Sequence, residues 1–416
     1  MSQKVVLLVE PSFYGVNYVR EAKKLGCYVV AIVSDAKNPA QYGYDGLYDD
    51  LLICDIRNKD AIYDVIKSSK YQEIDALISA TDYAIANTAY AAEKLGLKYM
   101  SHRTGQYVRN KDLARVRFQQ CGVPSAKFSI VRSASEAVAS ANHIGYPVVL
   151  KPTNTASSQH VYFIENAEKM TEAFGYIKEF ETSYMGFPVR DEYLVEEFLD
   201  GPEFSVELFM QNGKVAFGEV TEKITSMLPF FVEKCHVFPT SKLDLEKDLL
   251  VFVAWEAVKA LGLKNGPAHV EVKYTLDGPK IVEVNGRPGG DNITSDLIPL
   301  AYKIDIFSQT IRNLLGEKVE FPVMDRTSAA VGYLCADADG DFLKIANLSI
   351  LENDPAVVKY CINVKKGDPV RVPHSSDDRL GYVIVTMPTP EEAKKKVIEL
   401  LDQLIVIVEE YEPAVL

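Results

Sequence analysis

Residues 267–290 (PAHVEVKYTLDGPKIVEVNGRPGG) predict a β-hairpin that carries two opposed glutamates. Residues 276–278, Leu-Asp-Gly, fit a three-residue loop with glycine in the left-handed conformation. With that loop, Glu271 lies directly opposite Glu283, and both side chains point to one face of the hairpin. A two-residue Asp-Gly turn would instead shift the pairing by one residue and place the glutamates on opposite faces.

The face with the two glutamates indicates a site for a cation, because directly opposed carboxylates repel each other. His269 and Asn285 share this face in the same register. Two carboxylates and an amide oxygen suit Mg²⁺, which usually also binds water and substrate phosphates. The alternative is a solvated sheet face, on which acidic residues are common. The following turn holds Arg287, whose guanidinium can bind a phosphate or carboxylate through two hydrogen bonds.

The first hundred residues predict a doubly wound α/β domain with a parallel sheet. Helical patterns alternate there with short apolar runs at residues 4–9, 28–33, 51–54 and 76–79. Ligands of such sheets bind beyond the carboxyl ends of the strands. Here those ends carry residues 10–12 (Glu-Pro-Ser) and 81–82 (Thr-Asp), either as polar loops or as substrate contacts. The fingerprint GxGxxG is absent, which argues against a dinucleotide cofactor and a dehydrogenase.

From about residue 110 the pattern changes to helices between short β-segments, which is typical of an α+β region. Helices are predicted at 111–120, 245–261 and 390–404. Strands are predicted at 128–131, 147–151, 161–164, 192–198, 204–211, 214–224, 329–334 and 382–386. Residues 211–213 (Gln-Asn-Gly) predict a hairpin turn. A third segment begins near residue 318.

The composition argues against several functional classes. The 45 Lys and Arg against 58 Asp and Glu leave a net charge of −13, whereas nucleic-acid binding needs a clustered basic surface. No apolar run reaches the roughly 18 residues that a membrane span needs, and the first residues do not resemble a secretory signal. Six scattered cysteines without a CxxC pair suggest reduced thiols rather than a zinc or redox site. We therefore expect a cytoplasmic protein that binds neither nucleic acid nor membrane.

In their order and spacing, the motifs of this chain resemble the ATP-grasp superfamily and, within it, the L-amino acid ligases that make dipeptides and related amides. The resemblance is strong between about residues 100 and 315 and looser at both ends. It implies the ATP-grasp fold, an α/β architecture with an α+β central part. The expected domains are an N-terminal Rossmann-like domain with a doubly wound parallel sheet (1–110), a central nucleotide-binding domain (111–317) with a lid at about 125–197, and a C-terminal α+β domain (318–416).

The resemblance implies that several motifs hold ATP. Lys111 and Lys151 occupy the positions of the family's two nucleotide lysines, whose positive charge suits the α- and β-phosphates. The loop at 153–161 resembles the mobile phosphate-covering loop, and the family usually has glycine where this chain has His160. The other implied nucleotide contacts belong to the loop's serine pair, the adenine hinge and the ribose site, namely Ser157, Ser158, Glu196, Glu197, Phe198, Leu199 and Glu203.

The resemblance also implies the metal and substrate sites. The metal-binding triad is matched by Glu271, Glu283 and Asn285. Arg287 matches the arginine that faces the acyl phosphate, Lys223 is the other implied catalytic residue, and residues 229–239 match the lining of the amino-acid pocket. In that pocket Glu233 would hold a substrate ammonium. The implied substrate contacts are Glu233, His236, His269, Arg287, Gly289 and Gly290.

The activity that the resemblance implies is that of a ligase using ATP with Mg²⁺ or Mn²⁺. A substrate carboxylate forms an acyl phosphate, and an amine then displaces phosphate, which gives an amide and ADP. The expected partners are small molecules, amino acids or amino-acid-like acids, as in antibiotic biosynthesis, and the resemblance also admits a homodimer. The alternatives are another ATP-grasp ligase of the purine-pathway or carboxylase type, and an ATP-binding module without catalysis.

Overall fold

The computed structural model describes residues 3–71, 73–226, 230–322 and 326–410. Its N-terminal region contains β1 (Val5–Val9), α1 (Val16–Lys24), β2 (Tyr28–Val33), α2 (Asn38–Gln41), β3 (Asp50–Ile53), α3 (Ala61–Ser68), β4 (Ala76–Ser79), α4 (Ile85–Leu95) and α5 (His102–Arg109). The four strands form a sheet in the order β3-β2-β1-β4, and every pairing is parallel. This confirms the predicted parallel sheet.

Two apolar cores lie on opposite faces of the parallel sheet. Val6 and Leu8 pack with residues of α1 in one core, whereas Leu7 and Val9 pack with residues of α3 and α4 in the other. Successive side chains of a strand point to opposite faces, so β1 contributes to both cores. That is why the run from Val5 to Val9 contains no polar residue.

A second, smaller sheet follows. This region contains α6 (Lys111–Cys121), β5 (Phe128–Val131), α7 (Ala134–Ile144), β6 (Val148–Pro152), β7 (Tyr162–Ile164), α8 (Ala167–Glu179) and β8 (Tyr193–Glu197). The strand order is β5-β8-β6-β7, with antiparallel pairing throughout. Val148 and Leu150 pack against α7 and α8. The alternate residues of β6, Val149 and Lys151, consequently point to the other face, towards the cavity described below.

The largest sheet has eight strands and includes strands from the last hundred residues. The central elements are β9 (Glu203–Gln211), β10 (Lys214–Thr225), β11 (Glu233–Phe238), α9 (Asp244–Leu261), β12 (Gly266–Thr275), β13 (Gly278–Asn285), α10 (Ile298–Tyr302) and α11 (Ile306–Leu314). The later elements are β14 (Ser328–Leu334), β15 (Gly340–Ala346), α12 (Ser349–Asn353), β16 (Val357–Ile362), β17 (Pro369–Val370), β18 (Gly381–Met387), α13 (Pro390–Gln403) and β19 (Ile405–Glu410).

The order of the large sheet is β13-β12-β9-β10-β11-β14-β18-β16, and its pairings are antiparallel. Because β11 pairs with β14, the sheet continues across the domain boundary predicted at 317–318. The remaining strands form a separate sheet in the order β17-β15-β19. Within the described ranges, no helix is both long and apolar enough to cross a membrane.

The hairpin of β12 and β13 differs from the prediction at its turn. Thr275 pairs with Gly278, so the loop has two residues rather than three. The predicted opposition of Glu271 and Glu283 is nevertheless present, because the register shifts between these pairs and Val282 is the extra residue. A β-bulge of this kind moves one strand by one residue relative to its partner. The bulge therefore offsets the shorter turn and keeps both glutamates on one face.

Candidate active site

A cavity of about 920 Å³ lies between the parallel sheet, the small sheet and the large sheet. The nucleotide, metal and substrate residues implied by the sequence all line it, with the exception of Gly289. The structure thus brings together side chains that are far apart in the chain, while the role of each stays a prediction. In the predicted segment 229–239, position 229 lies outside the described residues.

On the lid side of the cavity, defined by Lys151, Glu196 and Phe198, a buried carboxylate binds two cations. Lys151 Nζ and Arg115 Nε each lie 2.6 Å from an oxygen of Glu196. Burial opposes a charged carboxylate, but Arg115 and Lys151 outweigh it and lower the pKa of Glu196 to about 2. Arg115 also donates a hydrogen bond of 2.7 Å to the carbonyl of Val282, the bulge residue. One guanidinium therefore connects the small sheet to the glutamate hairpin.

A buried lysine lies among three carboxylates near the middle of the cavity. Lys223 Nζ is 2.7 Å from Glu203 and 3.2 Å from Glu271. It is 3.5 Å from Glu233, which also accepts a hydrogen bond from Ser376 Oγ. Burial alone would lower the pKa of Lys223, but the carboxylates raise it well above its ordinary value. Lys223 is therefore a permanent counter-ion for this group.

The opposed glutamates each face a cation of the protein. Lys111 Nζ lies 3.1 Å from Glu283 Oε1, just as Lys223 neutralises Glu271. Asn285 is buried and lines the same cavity. Two carboxylates and an amide oxygen fit a hard divalent cation. Water molecules and phosphate oxygens would complete the coordination of that cation. Across the described ranges, no group of three or more His, Cys, Asp or Glu side chains has the spacing of a metal site. The set of Glu271, Glu283 and Asn285 contains only two residues of these types.

His269 lies on the hairpin face that carries Glu271 and Glu283, and Glu207 holds its ring in place. Its Nδ1 lies 2.6 Å from Glu207 Oε1, and its Nε2 lies 3.6 Å from Glu271 Oε1. Burial favours the neutral ring, but the two glutamates raise the pKa of His269 to about 9. Gly289 lies against this pair, because a Cβ there would come within 2.8 Å of both His269 Nδ1 and Glu207 Oε2. Gly289 thus packs against His269 and Glu207 and does not itself line the cavity.

Three residues of the loop between β6 and β7 have a positive φ. Ser157, Ser158 and His160 adopt φ angles of 56°, 54° and 54°, a conformation that glycine adopts most readily. The His160 ring stacks on Phe180 with 4.1 Å between centroids, and its Nδ1 is 2.8 Å from the hydroxyl of Tyr162. Glycine would adopt this positive φ without further stabilisation, whereas His160 is held in it by its contacts with Phe180 and Tyr162.

On the C-terminal side of the cavity, defined by Tyr333 and Arg379, lie charges that the sequence analysis missed. Arg379 donates to both oxygens of Asp291, at 2.8 and 3.2 Å, and its guanidinium lies 3.9 Å from the centre of the Tyr333 ring. Burial opposes ionisation of Asp291, but Arg379 and His236 lower its pKa well below the ordinary value. Within the described residues, both ring nitrogens of His236 are buried without a hydrogen-bond partner. His236 Nε2 is 3.6 Å from Asp291 Oδ2.

Arg287 connects the cavity to the parallel sheet. Its Nε donates to Asp82 at 3.3 Å, and its guanidinium lies 5.2 Å from the centre of the Tyr14 ring. Asp82 follows β4, at the carboxyl edge of the sheet where ligands are expected. Glu10, at the end of β1, is instead hydrogen-bonded to Asn38 at 2.8 Å and does not line the cavity. Asp82 therefore lines the cavity, whereas residues 10–12 do not, although Phe13 and Tyr14, which follow them, do.

Some of the missed residues carried a usable signal. Arg115 lies four residues after Lys111, which places both on one face of α6. Asp291 directly follows the glycine-rich turn of Arg287. Arg379 has no such signal, because its partner Asp291 is remote in the chain and no motif surrounds it.

Two family models match the chain. A model described as an ATP-grasp domain matches residues 144–296, and a model described as L-amino acid ligase C-terminal domain 2 matches residues 332–409. Among curated relatives, the alanine–anticapsin ligase of Bacillus subtilis is 26% identical over 357 residues, which are 80% of this chain and 69% of that protein.

Solved structures show the same fold. The L-amino acid ligase from Bacillus licheniformis has a TM-score of 0.82 at 22% identity, covering 99% of this chain and 100% of that one. The carboxyaminoimidazole ribonucleotide synthase of Aspergillus clavatus, complexed with ATP, has a TM-score of 0.73 at 17% identity, covering 96% and 99%. These similarities confirm the ATP-grasp fold that the sequence predicts.

Proposed function

Residues 144–296 match an ATP-grasp domain and the chain resembles the L-amino acid ligases, and on this premise we propose that it uses ATP to join an amino acid, or an amino-acid-like acid, to a second amino acid. One observation supports this most strongly. A single cavity contains both a set of lysines and glutamates suited to a magnesium nucleotide and a set of buried opposite charges suited to a zwitterion. An amino-acid ligase needs these two properties side by side.

The nucleotide would lie on the lid side. ATP-grasp enzymes use ATP with Mg²⁺, and in this chain Glu271, Glu283 and Asn285 would hold the metal, which would supply charge neutralisation and orient the phosphates. Lys111 and Lys151 would add fixed positive charge near the phosphates. Lys151 is already held in position by Glu196 at 2.6 Å, so little conformational entropy is lost when it binds a phosphate.

The amino-acid substrates would lie towards the C-terminal side. An amino acid carries one ammonium and one carboxylate, and this part of the cavity offers Asp291 and Glu233 to the first and Arg379 to the second. Arg379 and Asp291 bind each other at 2.8 Å, so a zwitterion can exchange with that pair without leaving an unpaired buried charge. His236, with two unpartnered ring nitrogens among the described residues, could hydrogen-bond to a substrate.

The proposed reaction has two steps. A carboxylate oxygen of the first substrate attacks the γ-phosphorus, the bond to the bridging oxygen breaks, and ADP leaves. The amine of the second substrate then attacks the carbonyl carbon, loses a proton, and the C–O bond to phosphate breaks. Arg287, placed in the cavity by Asp82, would neutralise the charge that develops in both steps. Closure of the loop between β6 and β7 would exclude water, which otherwise hydrolyses the acyl phosphate.

Hydroxylamine trapping tests the first step without the second substrate. The protein is incubated with ATP, Mg²⁺, hydroxylamine and one L-amino acid at a time, and hydroxamate and ADP are measured. We expect equal amounts of ADP and one amino-acid hydroxamate, and loss of both in Glu283→Gln. Asp277→Asn, at the exposed turn of the same hairpin, is the matched control and should behave as the wild type. Release of AMP and pyrophosphate would contradict the proposal.

A further inference from the structure

Four largely apolar side chains on the N-terminal side of the cavity take no part in the proposed reaction. Phe13 follows β1 and Tyr83 follows β4, two neighbouring strands of the parallel sheet. Tyr184 and Met185 lie between α8 and β8, and all four residues line the cavity. The Tyr184 ring lies 5.8 Å from that of Tyr83 and 6.4 Å from that of Phe13. Together they form one surface, which we call the apolar wall.

Two residues of the apolar wall hold a backbone conformation that a bulky side chain rarely adopts. Phe13 has a φ of 46° and Met185 a φ of 58°, in the left-handed region that favours glycine. Backbone strain of this kind occurs most often at functional sites. Phe13 is also 66% exposed, so burial of its ring offsets little of the cost. Contact with a ligand therefore explains the phenylalanine at this position better than the stability of the fold does.

The hydroxyl groups of the apolar wall already have partners. The Tyr83 hydroxyl lies 2.6 Å from Ser183 Oγ, and the Tyr184 hydroxyl donates a hydrogen bond to Asp377. Arg109 lies 4.2 Å from the centre of the Tyr83 ring but does not line the cavity. The wall therefore offers a ligand ring and thioether surface rather than free hydrogen-bonding groups.

Most of the charged groups that border the wall are engaged as well. Asp82 accepts a hydrogen bond from Arg287 at 3.3 Å, and Arg20 donates to Asn17 at 3.3 Å. Asp377 lines the cavity and forms no ion pair within the described ranges. A basic side chain is therefore the alternative to an apolar one, because Asp377 would attract it.

We propose that the apolar wall binds the side chain of the amino acid whose carboxylate is activated, and that this side chain is apolar. The inference rests on the proposed function, in which Arg287 neutralises charge at the acyl phosphate. Arg287 borders the wall, because Asp82 binds it and its guanidinium lies 5.2 Å from the centre of the Tyr14 ring. The second substrate keeps its carboxylate in the product, so Arg379, on the C-terminal side, suits that substrate.

The chemistry of the wall predicts the direction of the preference. An apolar side chain that leaves water for ring and thioether surface gains free energy in proportion to the area buried. A polar side chain of the same size loses its hydrogen bonds to water and finds no free partner on this wall. The wall should therefore select against polar side chains rather than merely tolerate apolar ones.

Hydroxylamine trapping with single amino acids measures this preference, because it consumes only the first substrate. We expect kcat/KM for hydroxamate formation to be at least about tenfold higher with leucine than with asparagine, whose side chain has nearly the same shape. Equal values, or a preference for lysine or arginine, would overturn the inference and leave the proposed ligase intact. Absence of hydroxamate with every amino acid would instead contradict the proposed function, and the inference with it.

Two variants test whether the wall causes the preference. Phe13→Ala should lower kcat/KM for leucine at least about fivefold and change the value for alanine much less, because alanine buries less apolar area. Phe252→Ala is the matched control, since Phe252 is 54% exposed and lies outside the cavity. Met185→Gly suits the left-handed backbone and enlarges the site, so the ratio of kcat/KM for phenylalanine to that for leucine should rise about tenfold.

Thermal unfolding of each variant shows whether it folds. A loss in Phe13→Ala that is equal for leucine and alanine would assign Phe13 to the support of the cavity and overturn the inference. An unchanged ratio of phenylalanine to leucine in a folded Met185→Gly would overturn it as well.

Discussion

The lid side and the C-terminal side of the cavity are built differently. On the lid side, Lys151 and Glu196 belong to two neighbouring strands of one small sheet, and their partner Arg115 comes from the helix just before it. On the C-terminal side, Asp291, Tyr333 and Arg379 come from a loop after β13, from β14 and from the segment before β18. The first group is local in the chain, whereas the second exists only once the large sheet is complete.

This difference matches the task proposed for each side. A nucleotide is the same for every ATP-grasp ligase, so a compact, local set of charges can serve all of them. The amino-acid substrates differ between ligases, and their recognition depends on fine packing around the polar contacts. Residues contributed by separate segments can change independently of the nucleotide site. We therefore expect substitutions on the lid side to affect every substrate and those on the C-terminal side to affect particular ones.

The largest effect is expected for Glu283→Gln, which removes one carboxylate from the proposed metal site. ADP formation should fall about a thousandfold, or about 4 kcal/mol of transition-state stabilisation, with every substrate pair. Steady-state ADP release measures it, with Asp277→Asn as the control. A loss confined to one substrate pair would place Glu283 among the specificity residues and remove the distinction between the two sides.

The next effect concerns stability on the lid side. Glu196→Gln leaves Arg115 and Lys151 without their buried counter-ion, and we expect a loss of about 3 kcal/mol in the free energy of unfolding at neutral pH. Since the pKa of Glu196 is lowered from 4.5 to about 2, its contribution is complete above pH 4.5 and is lost as the pH falls towards 2. The difference between wild type and variant should therefore shrink in acid.

Urea unfolding at several pH values measures this difference. Glu197→Gln is the matched control, because Glu197 is the next residue, pairs with Lys280 at 3.2 Å and is partly exposed. The Glu197→Gln variant should lose less than about 1 kcal/mol in the free energy of unfolding. An equal loss for both variants, or a loss at position 196 that does not depend on pH, would show that burial rather than the ion pair explains the effect.

A change on the C-terminal side sharpens the comparison further. Arg379→Ala should raise the KM for one amino-acid substrate up to about a hundredfold, because the loss of a strong charge-assisted hydrogen bond has an effect of that size. The KM for ATP should stay unchanged. Arg312→Ala, on the surface of α11 with an exposed partner, is the control. An equal rise in the KM for ATP would mean that Arg379 supports the whole cavity.

The smallest effect is expected for Glu233→Ala. Its carboxylate is 3.5 Å from Lys223 and accepts a hydrogen bond from Ser376, so a substrate ammonium would share it with other partners. We expect the KM for the amino acid to rise about tenfold with unchanged nucleotide affinity. Isothermal titration with ATP and steady-state kinetics separate the two quantities. Loss of ATP binding would contradict the assignment of Glu233 to the substrate.

The sequence predicts much of the fold because the local patterns are strong. The bounds predicted for β2, β4 and β5 are those of the structure, since apolar runs with clear ends leave little choice. The turn at residues 276–278 was predicted wrongly, because a bulge at Val282 is a non-local adjustment that no turn preference reveals. The pair of Arg379 and Asp291 was missed for the same reason, as it forms only when distant segments meet.

The most direct test of the proposed ligase is to measure ADP release with ATP, Mg²⁺ and all pairs of common L-amino acids, with the products identified by mass. We expect ADP and phosphate in equal amounts, together with one or a few masses that correspond to two amino acids minus one water. Tight ATP binding without ADP release for any pair, or products without an amide bond, would contradict a dipeptide-forming ligase.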